Sequence, residues 1–388
     1  MTHTVVFEKA GFDSYRDIIE HANFVFSHAH GACEFKTMLP KTYGETPAMW
    51  PEHFVARENG RIRALVGLLP LNLRAGNEHL KLGFIGTVSV NPYERGRGFM
   101  KKCMAMAEEH ARAEKMDLLA LGGQRQRYGY FGFVKGGWHA SYNVNRSNCR
   151  HALSNEDASG FDFVPFEKAT ESLPAVCALH ESAPCTVARP EAHFSAIACS
   201  YYLSPLVILR NGSFAGYALT SQNRDHIHEL RLADESLAGN VVKAYFAAFG
   251  VSEVQIRLAP HQRSLMPFFN RISENMTVQP DNMYRILDFE RVAGAFLRLK
   301  LSIEGTLPEG VFNLGIRTED SVRNLSLRVE GNTASARFTE DESDIILSES
   351  EAGDLLLSPM PHADLSRVPF FARAWLPLPV SIETADGF

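Results

Sequence analysis

The chain has 388 residues, of which 45% are hydrophobic and 22% are charged. This composition is typical of a folded globular protein and excludes a disordered chain, and the length suggests two or three domains of about 150 residues each. The 39 Lys and Arg residues are outnumbered by 45 Asp and Glu residues, giving a net charge of −6. This balance argues against partners such as nucleic acids or anionic membranes, because binding to either normally needs a surplus of positive charge.

The chain start and the cysteines indicate the compartment. The start has no basic segment followed by an apolar one, and no apolar run approaches the ~18 residues of a membrane span. The six cysteines contain no C-x-x-C pair, which favours reduced thiols over a disulfide framework. We therefore expect a cytoplasmic protein.

The first ~150 residues predict alternating strands and helices, because period-2 and helical apolar patterns follow one another along the chain. The predicted elements are a strand Thr4–Phe7, a helix Asp13–Phe26, a hairpin of His53–Arg57 and Ile62–Leu73, a strand Leu80–Val90, a helix Gly98–Lys115 and a strand Leu118–Leu121. The hairpin is favoured by the turn Asn59-Gly60. Between helix and hairpin, the polar segment Ser27–Pro51 is long enough to be a functional segment or a lid.

A second block follows a weakly patterned boundary between Cys149 and Phe163. It predicts a hairpin at Asn211-Gly212, a strand His228–Leu232, a helix Leu237–Phe249, a strand Val254–Leu258 and a helix Ser264–Ile272. Because this order repeats that of the first block, it suggests a degenerate duplication. The last hundred residues predict a helix Arg291–Leu299, several strands, a helical Glu351–Leu356 and an apolar tail. The predicted fold class is mixed α/β (α+β), with domains 1–148, 149–288 and 289–388.

The sequence V-S-V-N-P-Y-E-R-G-R-G-F-M at residues 88–100 carries the clearest chemical signal. A strand ends, Pro92 breaks it, and a turn rich in Gly and Arg begins a helix. The free N–H groups of such a turn and of the first helical turn bind anions, and arginines can bind phosphate bidentately. Lys101 stands where a G-x-G-x-x-G motif needs its third glycine, and no G-x-x-x-x-G-K-[ST] occurs. The motif predicts a phosphate or pyrophosphate site; a charged turn that needs glycines only for its geometry is the alternative.

This segment resembles the acetyl-CoA motif of GCN5-related N-acetyltransferases (GNAT), V-x-V-x-P-x-x-R-x-x-G-x-G/A. Arg95 and Gly98 match, whereas Met100 replaces the last small residue. A large apolar residue there, and the sequence Y-G-Y-F-G-F at residues 128–133, resemble the Eis-like (enhanced intracellular survival) branch. The resemblance is strong over roughly residues 1–145. The rest follows the Eis-like plan in outline: a second, degenerate GNAT-like domain and a sterol-carrier-protein-like α+β domain.

The resemblance implies an N-acetyltransferase that transfers acetyl from acetyl-CoA to a primary amine by direct attack. The implied acceptor is an aminoglycoside, a polyamine or a lysine-like amine, as a small molecule or peptide, and the implied assembly is a homo-oligomer. The residues carried over to acetyl-CoA binding are Val88, Ser89, Val90, Arg95, Gly96, Arg97, Gly98, Phe99, Met100, Lys101, Gly123 and Gln124.

Two catalytic residues are implied by the same resemblance. Tyr128 would protonate the leaving thiolate, and the C-terminal carboxylate, here on Phe388, would be the base. The alternatives are a core aromatic at residue 128 and a frayed terminus at residue 388. Tyr130 is expected to be a core aromatic.

Acceptor contacts are expected from the segment Ser27–Pro51, at Phe35, Tyr43 and Trp50. The second block lacks R-G-x-G where its helix begins, so we expect it to bind no CoA.

No metal site is predicted, since the pairs His28/His30 and His226/His228 have no third and fourth ligand at diagnostic spacing. Two other functions remain open: a non-catalytic acyl-CoA-binding regulator, and a lipid-binding protein whose C-terminal domain is the working part.

Overall fold

The structure is a computed structural model that describes residues 4–45 and 47–388; the side chain of His30 lies outside the described part. The first 145 residues form β1 (Val5–Ala10), α1 (Tyr15–His30), α2 (Phe35–Met38), α3 (Pro40–Tyr43), β2 (Glu52–Glu58), β3 (Arg61–Ala75), β4 (Glu78–Val90), α4 (Phe99–Ala113), β5 (Leu118–Leu121), α5 (Arg125–Tyr128), β6 (Val134–Gly136) and β7 (His139–Asn145).

The remainder continues the alternation of strands and helices as far as residue 286. A long helix, a four-stranded sheet, two shorter helices and an irregular tail follow. Its elements are α6 (Arg146–Ala152), β8 (Phe161–Pro165), α7 (Leu173–Ser182), β9 (Cys185–Val187), α8 (Glu191–Ala198), β10 (Ser204–Arg210), β11 (Ser213–Thr220), β12 (His226–Leu232), α9 (Ala238–Phe249), β13 (Glu253–Leu258), α10 (Met266–Ile272), β14 (Asn275–Gln279), β15 (Asn282–Ile286), α11 (Phe289–Glu304), β16 (Gly310–Arg317), β17 (Val322–Glu330), β18 (Thr333–Thr339), β19 (Ile345–Ser348), α12 (Glu349–Leu357) and α13 (Phe370–Arg373).

The first sheet has the strand order β1-β2-β3-β4-β5-β15-β6, and β9 pairs with β3. The predicted hairpin is confirmed as β2–β3, and its turn places Asn59 and Gly60 at positive φ, as an Asn-Gly hairpin turn requires. Strands β4 and β5 run parallel with α4 between them. The sheet thus joins a hairpin to a strand–helix–strand unit, the order predicted from the sequence.

The second sheet has the order β14-β7-β13-β12-β11-β10-β8. Its hairpin β10–β11 turns at Asn211-Gly212 as predicted, and β12 runs parallel to β13 with α9 between them. Both sheets therefore contain a hairpin followed by a parallel strand–helix–strand unit. The fold class is the mixed α/β class that the sequence predicts.

The two sheets exchange strands across the predicted boundaries, which themselves stay a prediction. Strand β7 precedes residue 148 but pairs with β13 in the second sheet. Strand β15 precedes residue 288 but pairs with β5 and β6 in the first sheet. A linear division of the chain would therefore cut strands out of both sheets.

The last part of the chain forms a four-stranded sheet, β18-β17-β16-β19, covered by α11. Apolar side chains of α11 and of the sheet, such as Phe296, Phe312 and Leu325, are fully buried. No helix in residues 4–45 and 47–388 has both the length and the apolar character needed to cross a membrane.

The segment Ser27–Pro51 differs from the expected lid. It contains α2 and α3, and its side chains Phe35, Lys41 and Tyr43 are buried. Buried polar groups need partners, and here the Tyr43 hydroxyl contacts His53 Nε2 and Thr87 Oγ1, each at 2.9 Å. The segment is thus part of the packed body around the end of β4.

Candidate active site

Strands β4 and β5 separate at the middle of the first sheet. Their pairing covers Leu82–Ile85 opposite Leu118–Leu121 and stops there, while β4 continues to Val90. The backbone groups of β4 beyond residue 85 therefore have no β5 partner. A gap between parallel strands, with polar backbone groups along one wall, can take an extended ligand.

A β-bulge shapes β4 at the same place. Opposite β3, the register moves from Gly67↔Gly86 to Leu65↔Ser89, so one extra residue is inserted in β4. Thr87 has a φ of 52°, which is unusual for a β-branched residue. Bulges of this kind redirect a strand, and here the bulge lies directly after the last β4–β5 pair. Of the predicted cofactor residues on β4, Ser89 is buried, whereas Val88 and Val90 are partly exposed.

The N-terminus of α4 is open. Gly98 caps the helix in the left-handed conformation, and within the described residues the first turn has no side-chain cap hydrogen bond. Gly96 and Gly98 have φ values of 83° and 76°, and an added Cβ at either would meet nothing within 4 Å. The free N–H groups of a 15-residue helix therefore face open space at the predicted anion site.

The two arginines of the motif are placed differently. Arg97 binds Glu58 at 2.9 Å and Glu94 at 2.5 Å, and these carboxylates raise its pKa. Arg95 is exposed, and within the described residues its side chain makes no hydrogen bond or ion pair. Arg97 thus holds the turn together, and Arg95 is the guanidinium available to an anion.

Lys101, on the first turn of α4, donates a hydrogen bond to the Tyr130 hydroxyl at 2.8 Å. Tyr130 is 69% exposed, so the expectation of a core aromatic there is wrong. The reason is that residues 129–131 form a tight turn that directs this ring outward. Of the neighbouring cofactor residues, Phe99 is buried and Met100 partly buried.

Tyr128 lies at the end of α5 and is buried in the apolar cluster that also contains Phe133. Burial raises the pKa of its phenol, which therefore keeps its proton at neutral pH. A Cβ added at Gly123 would stand 2.3 Å from the Tyr128 ring, so only glycine allows this approach. Gly123 and the exposed Gln124 follow β5 directly, which places Tyr128 beside the gap between β4 and β5.

Phe388 packs against β3 and β4 at Gly86, the residue that follows the last β4–β5 pair. Cβ atoms added at Gly67 and Gly86 would stand 2.6 Å and 2.2 Å from the Phe388 ring and carbonyl oxygen, respectively. The ring is buried, with its centroid 6.0 Å from that of Tyr43. Two glycines on paired strands thus make room for this residue at the point where β4 and β5 part. Its end is packed, not frayed.

The three expected acceptor residues do not share one surface. Phe35 and Tyr43 are buried in the core, whereas Trp50 is partly exposed. Trp50 packs on His53, with ring centroids 4.7 Å apart. Sequence reasoning missed His53, Thr87 and Lys41. Only His53, a polar residue inside a predicted apolar strand, offered a signal.

The second block differs at the corresponding helix start. The Asp234 side chain accepts a hydrogen bond from Ser236 N at 3.0 Å in the turn before α9. This carboxylate takes up one N–H donor and adds negative charge in the turn that precedes α9. In the described part of the chain, no group of three or more His, Cys, Asp or Glu residues is arranged to hold a metal ion.

Comparison with known proteins agrees with this geometry. Residues 8–135 match the family model described as an acetyltransferase (GNAT) domain. A solved structure from Enterococcus faecalis V583, a conserved protein of unknown function and probable N-acyltransferase, is similar over 100% of both chains, with a TM-score of 0.72 and 14% identity. A GCN5-related N-acetyltransferase from Anabaena variabilis is similar over 99% of this chain and 100% of its own (TM-score 0.69, 12% identity).

Eis1 from Mycobacterium abscessus is similar over 99% of both chains, with a TM-score of 0.66 and 15% identity. No curated protein matches the chain. At these identities the solved structures show the fold alone. Residues 8–135 form a GNAT acetyltransferase domain, and the resemblance stated from the motif is confirmed. The full-length fold is the one shared by GNAT proteins that include Eis1.

Proposed function

We propose that the chain is an acetyl-CoA-dependent N-acetyltransferase that acts on a primary amine. The observation that carries the proposal is the gap between β4 and β5, with the open N-terminus of α4 after β4. Tyr128 packs on Gly123, which follows β5, and Phe388 packs on Gly86, the residue after the last β4–β5 pair.

The residues present fit acetyl-CoA. The open first turn of α4, with Gly96 and Gly98, would hold the pyrophosphate, and Arg95 would add a charged contact. The edge of β4 from Gly86 to Val90, which has no β5 partner, would orient the pantetheine arm and the thioester carbonyl. A backbone N–H aimed at a carbonyl oxygen that becomes negative is worth roughly 3 kcal/mol. Acetyl-CoA supplies the acetyl group activated as a thioester.

Two proton transfers fall to this chain's own groups. An alkylammonium ion has a pKa near ~10.4, so the amine must lose a proton before it can attack. The α-carboxylate of Phe388, a residue packed among apolar side chains, would take that proton. The Tyr128 O–H would donate a proton to the leaving sulfur.

The proposed acceptors are aminoglycosides, polyamines and lysine-like amines, and Trp50 is the expected acceptor residue still partly exposed. A cytoplasmic homo-oligomer and a sterol-carrier-protein-like last domain belong to the same proposal.

The test is a screen of amine acceptors with acetyl-CoA in which released thiol is measured. We expect turnover with at least one acceptor class for the chain ending at Phe388. One glycine added after Phe388 should lower kcat by roughly 10²-fold, because it moves the carboxylate away from its position. A tag at the N-terminus is the control. Tight acetyl-CoA binding without turnover across the screen would favour the non-catalytic alternative.

A further inference from the structure

The segment from Ser381 to Phe388 is buried although it contains no strand and only one short helical turn, Thr384–Asp386. Glu383 and Asp386 within it are both under a tenth exposed. An irregular buried segment must find partners for its polar groups elsewhere in the fold, and a buried carboxylate is costly unless it is paired. The partners therefore show what determines the position of this segment.

Arg189 is the main partner from the second block. Its Nε and Nη2 bind the two Asp386 oxygens at 2.7 Å and 3.0 Å, and Nη2 also binds Glu229 at 2.9 Å. All three side chains are almost completely buried. Because a guanidinium presents its donors in a rigid plane, the two-point contact defines both the position and the orientation of Asp386.

Lys41 is the partner from the first block. Its Nζ donates to the carbonyl oxygens of Ala385 and Gly387, each at 2.5 Å, and the side chain is 1% exposed. These carbonyls flank Asp386 in the chain. Lys41 and Arg189 thus hold three successive residues from two sides, one through the backbone and one through a side chain.

Further contacts hold the start of the segment. Arg231 binds Glu383 at 3.1 Å, and the Ile382 N–H donates to Asp281 at 2.9 Å. Only one residue separates Asp386 from Phe388, so fixing Asp386 confines Phe388 to within ~7 Å of it.

We propose that Lys41 and Arg189 are positioning residues that form a clamp on residues 385–387 and so keep Phe388 packed against Gly67 and Gly86. The second block then contributes to the first block's site by holding the end of the chain through Arg189. The clamp is a structural claim; only its effect on catalysis rests on the proposed function.

Carboxypeptidase A, which removes C-terminal aromatic residues, tests the clamp directly. On the full chain under native conditions, release of Phe388 is followed by mass spectrometry, because cleavage of a folded protein tracks how often the cleaved segment opens. Lys41→Met removes the backbone contacts but leaves Arg189 paired with both carboxylates. Asp386→Asn keeps the shape but removes the charge. We expect release at least tenfold faster in both variants than in the wild type.

Arg291→Met is the matched control, since it breaks an ion pair with buried Asp117, at 2.7 Å, that includes no residue of the clamped segment. Release should stay at the wild-type rate in this variant. Release of Phe388 at the wild-type rate in both clamp variants would overturn the proposal. So would release from Arg291→Met that is accelerated as much as in the clamp variants.

Kinetics then separate the clamp from the proposed function. With an acceptor from the amine screen, both clamp variants should lose at least tenfold in kcat while the Kd of acetyl-CoA stays within twofold. An unchanged kcat despite fast release of Phe388 would contradict the positioning role of Lys41 and Arg189. Absence of turnover in the wild type would contradict the proposed function, and the carboxypeptidase result would still decide on the clamp.

Discussion

Tyr128 and Tyr130 are two residues apart in an aromatic run but have opposite surroundings. Tyr128 is buried against Gly123, whereas Tyr130 is exposed and accepts a hydrogen bond from Lys101. Composition alone cannot distinguish them, since both sit among Phe and Gly. The turn at residues 129–131 decides which ring faces the gap between β4 and β5.

Replacing Tyr128 with phenylalanine should lower kcat by about 10²-fold, because the ring remains but the proton donor is lost. The Kd of acetyl-CoA, measured by calorimetry, should change little. Tyr142→Phe is the control: this tyrosine is equally buried but lies in the core of the second sheet. Equal kcat values for the two variants would contradict the assignment of Tyr128 as the general acid.

Substitutions of Arg95 and Arg97 should have different effects. Arg95→Ala is expected to weaken acetyl-CoA binding by about tenfold, the usual value of one charge-assisted hydrogen bond. Arg97→Ala should instead lower thermal stability, because it leaves Glu58 and Glu94 without this partner. Calorimetry and thermal unfolding measure the two effects. Arg112→Ala, at the far end of α4, should change neither by much, since its ion pair with Glu108 is exposed.

Among the elements, β4 carries most of the site. Residues 82–85 pair on both sides, and the second half, after the bulge at Thr87, pairs only with β3. Gly86 lies at the junction and provides the space for Phe388. The same strand therefore provides rigidity before the junction and free backbone groups after it.

A methyl group at residue 86 should displace the end of the chain. In Gly86→Ala the added Cβ would stand 2.2 Å from the Phe388 carbonyl oxygen, and a chain end can move more easily than a central strand. We expect lower kcat and faster carboxypeptidase release of Phe388. Gly353→Ala in α12, where the nearest atom is 3.6 Å away, is the control. A crystal structure of Gly86→Ala with Phe388 unmoved and full activity would contradict the assignment.

Prediction from sequence succeeds where a short-range rule applies. The Asn-Gly turns, the amphipathic α4 and the buried strand Leu118–Leu121 obey local patterns, and the structure confirms them. The packing of the segment Ser27–Pro51 leaves no local signal, because its partners, such as the carbonyls bound by Lys41, lie more than 340 residues away in the sequence. Strands β14 and β15, like the elements of residues 161–198, lacked a local signal strong enough to assign.

The same limit applies to the candidate site. The motif at residues 88–101 located the open start of α4, but the ion pairs of Arg97 and the glycines facing Phe388 become visible only once strands are paired. The roles of Tyr128, Phe388 and the cofactor residues stay predictions that the experiments above address.

On the scale of the whole molecule, buried neutral histidines should make the fold sensitive to acid. Burial lowers the pKa of His21 and His228 to about 4 and that of His53 and His139 to about 3. Below the unfolded value of ~6.5 the unfolded chain binds more protons, so stability falls as pH drops. Asp281 and Glu383, whose pKa values burial raises to about 6 and about 7, act in the opposite direction but are fewer than the four histidines.

The expected loss is on the order of 2 kcal/mol per histidine between pH 7 and pH 5. Thermal unfolding midpoints across this range measure it. His139→Phe should flatten the pH dependence, whereas the exposed His151→Phe should not. A pH-independent midpoint would show that these side chains are not held neutral.

The exchange of β7 and β15 between the two sheets also bears on biosynthesis. The first sheet stays incomplete until residues 282–286 have been synthesised. These residues leave the ribosome more than 140 residues after β6 at Val134–Gly136. Until then β5 lacks one neighbour and offers an unpaired strand edge during translation, the kind of surface that invites misassembly. Ribosome-bound fragments that stop at residue 150 should therefore depend on chaperones, and those released after residue 286 much less.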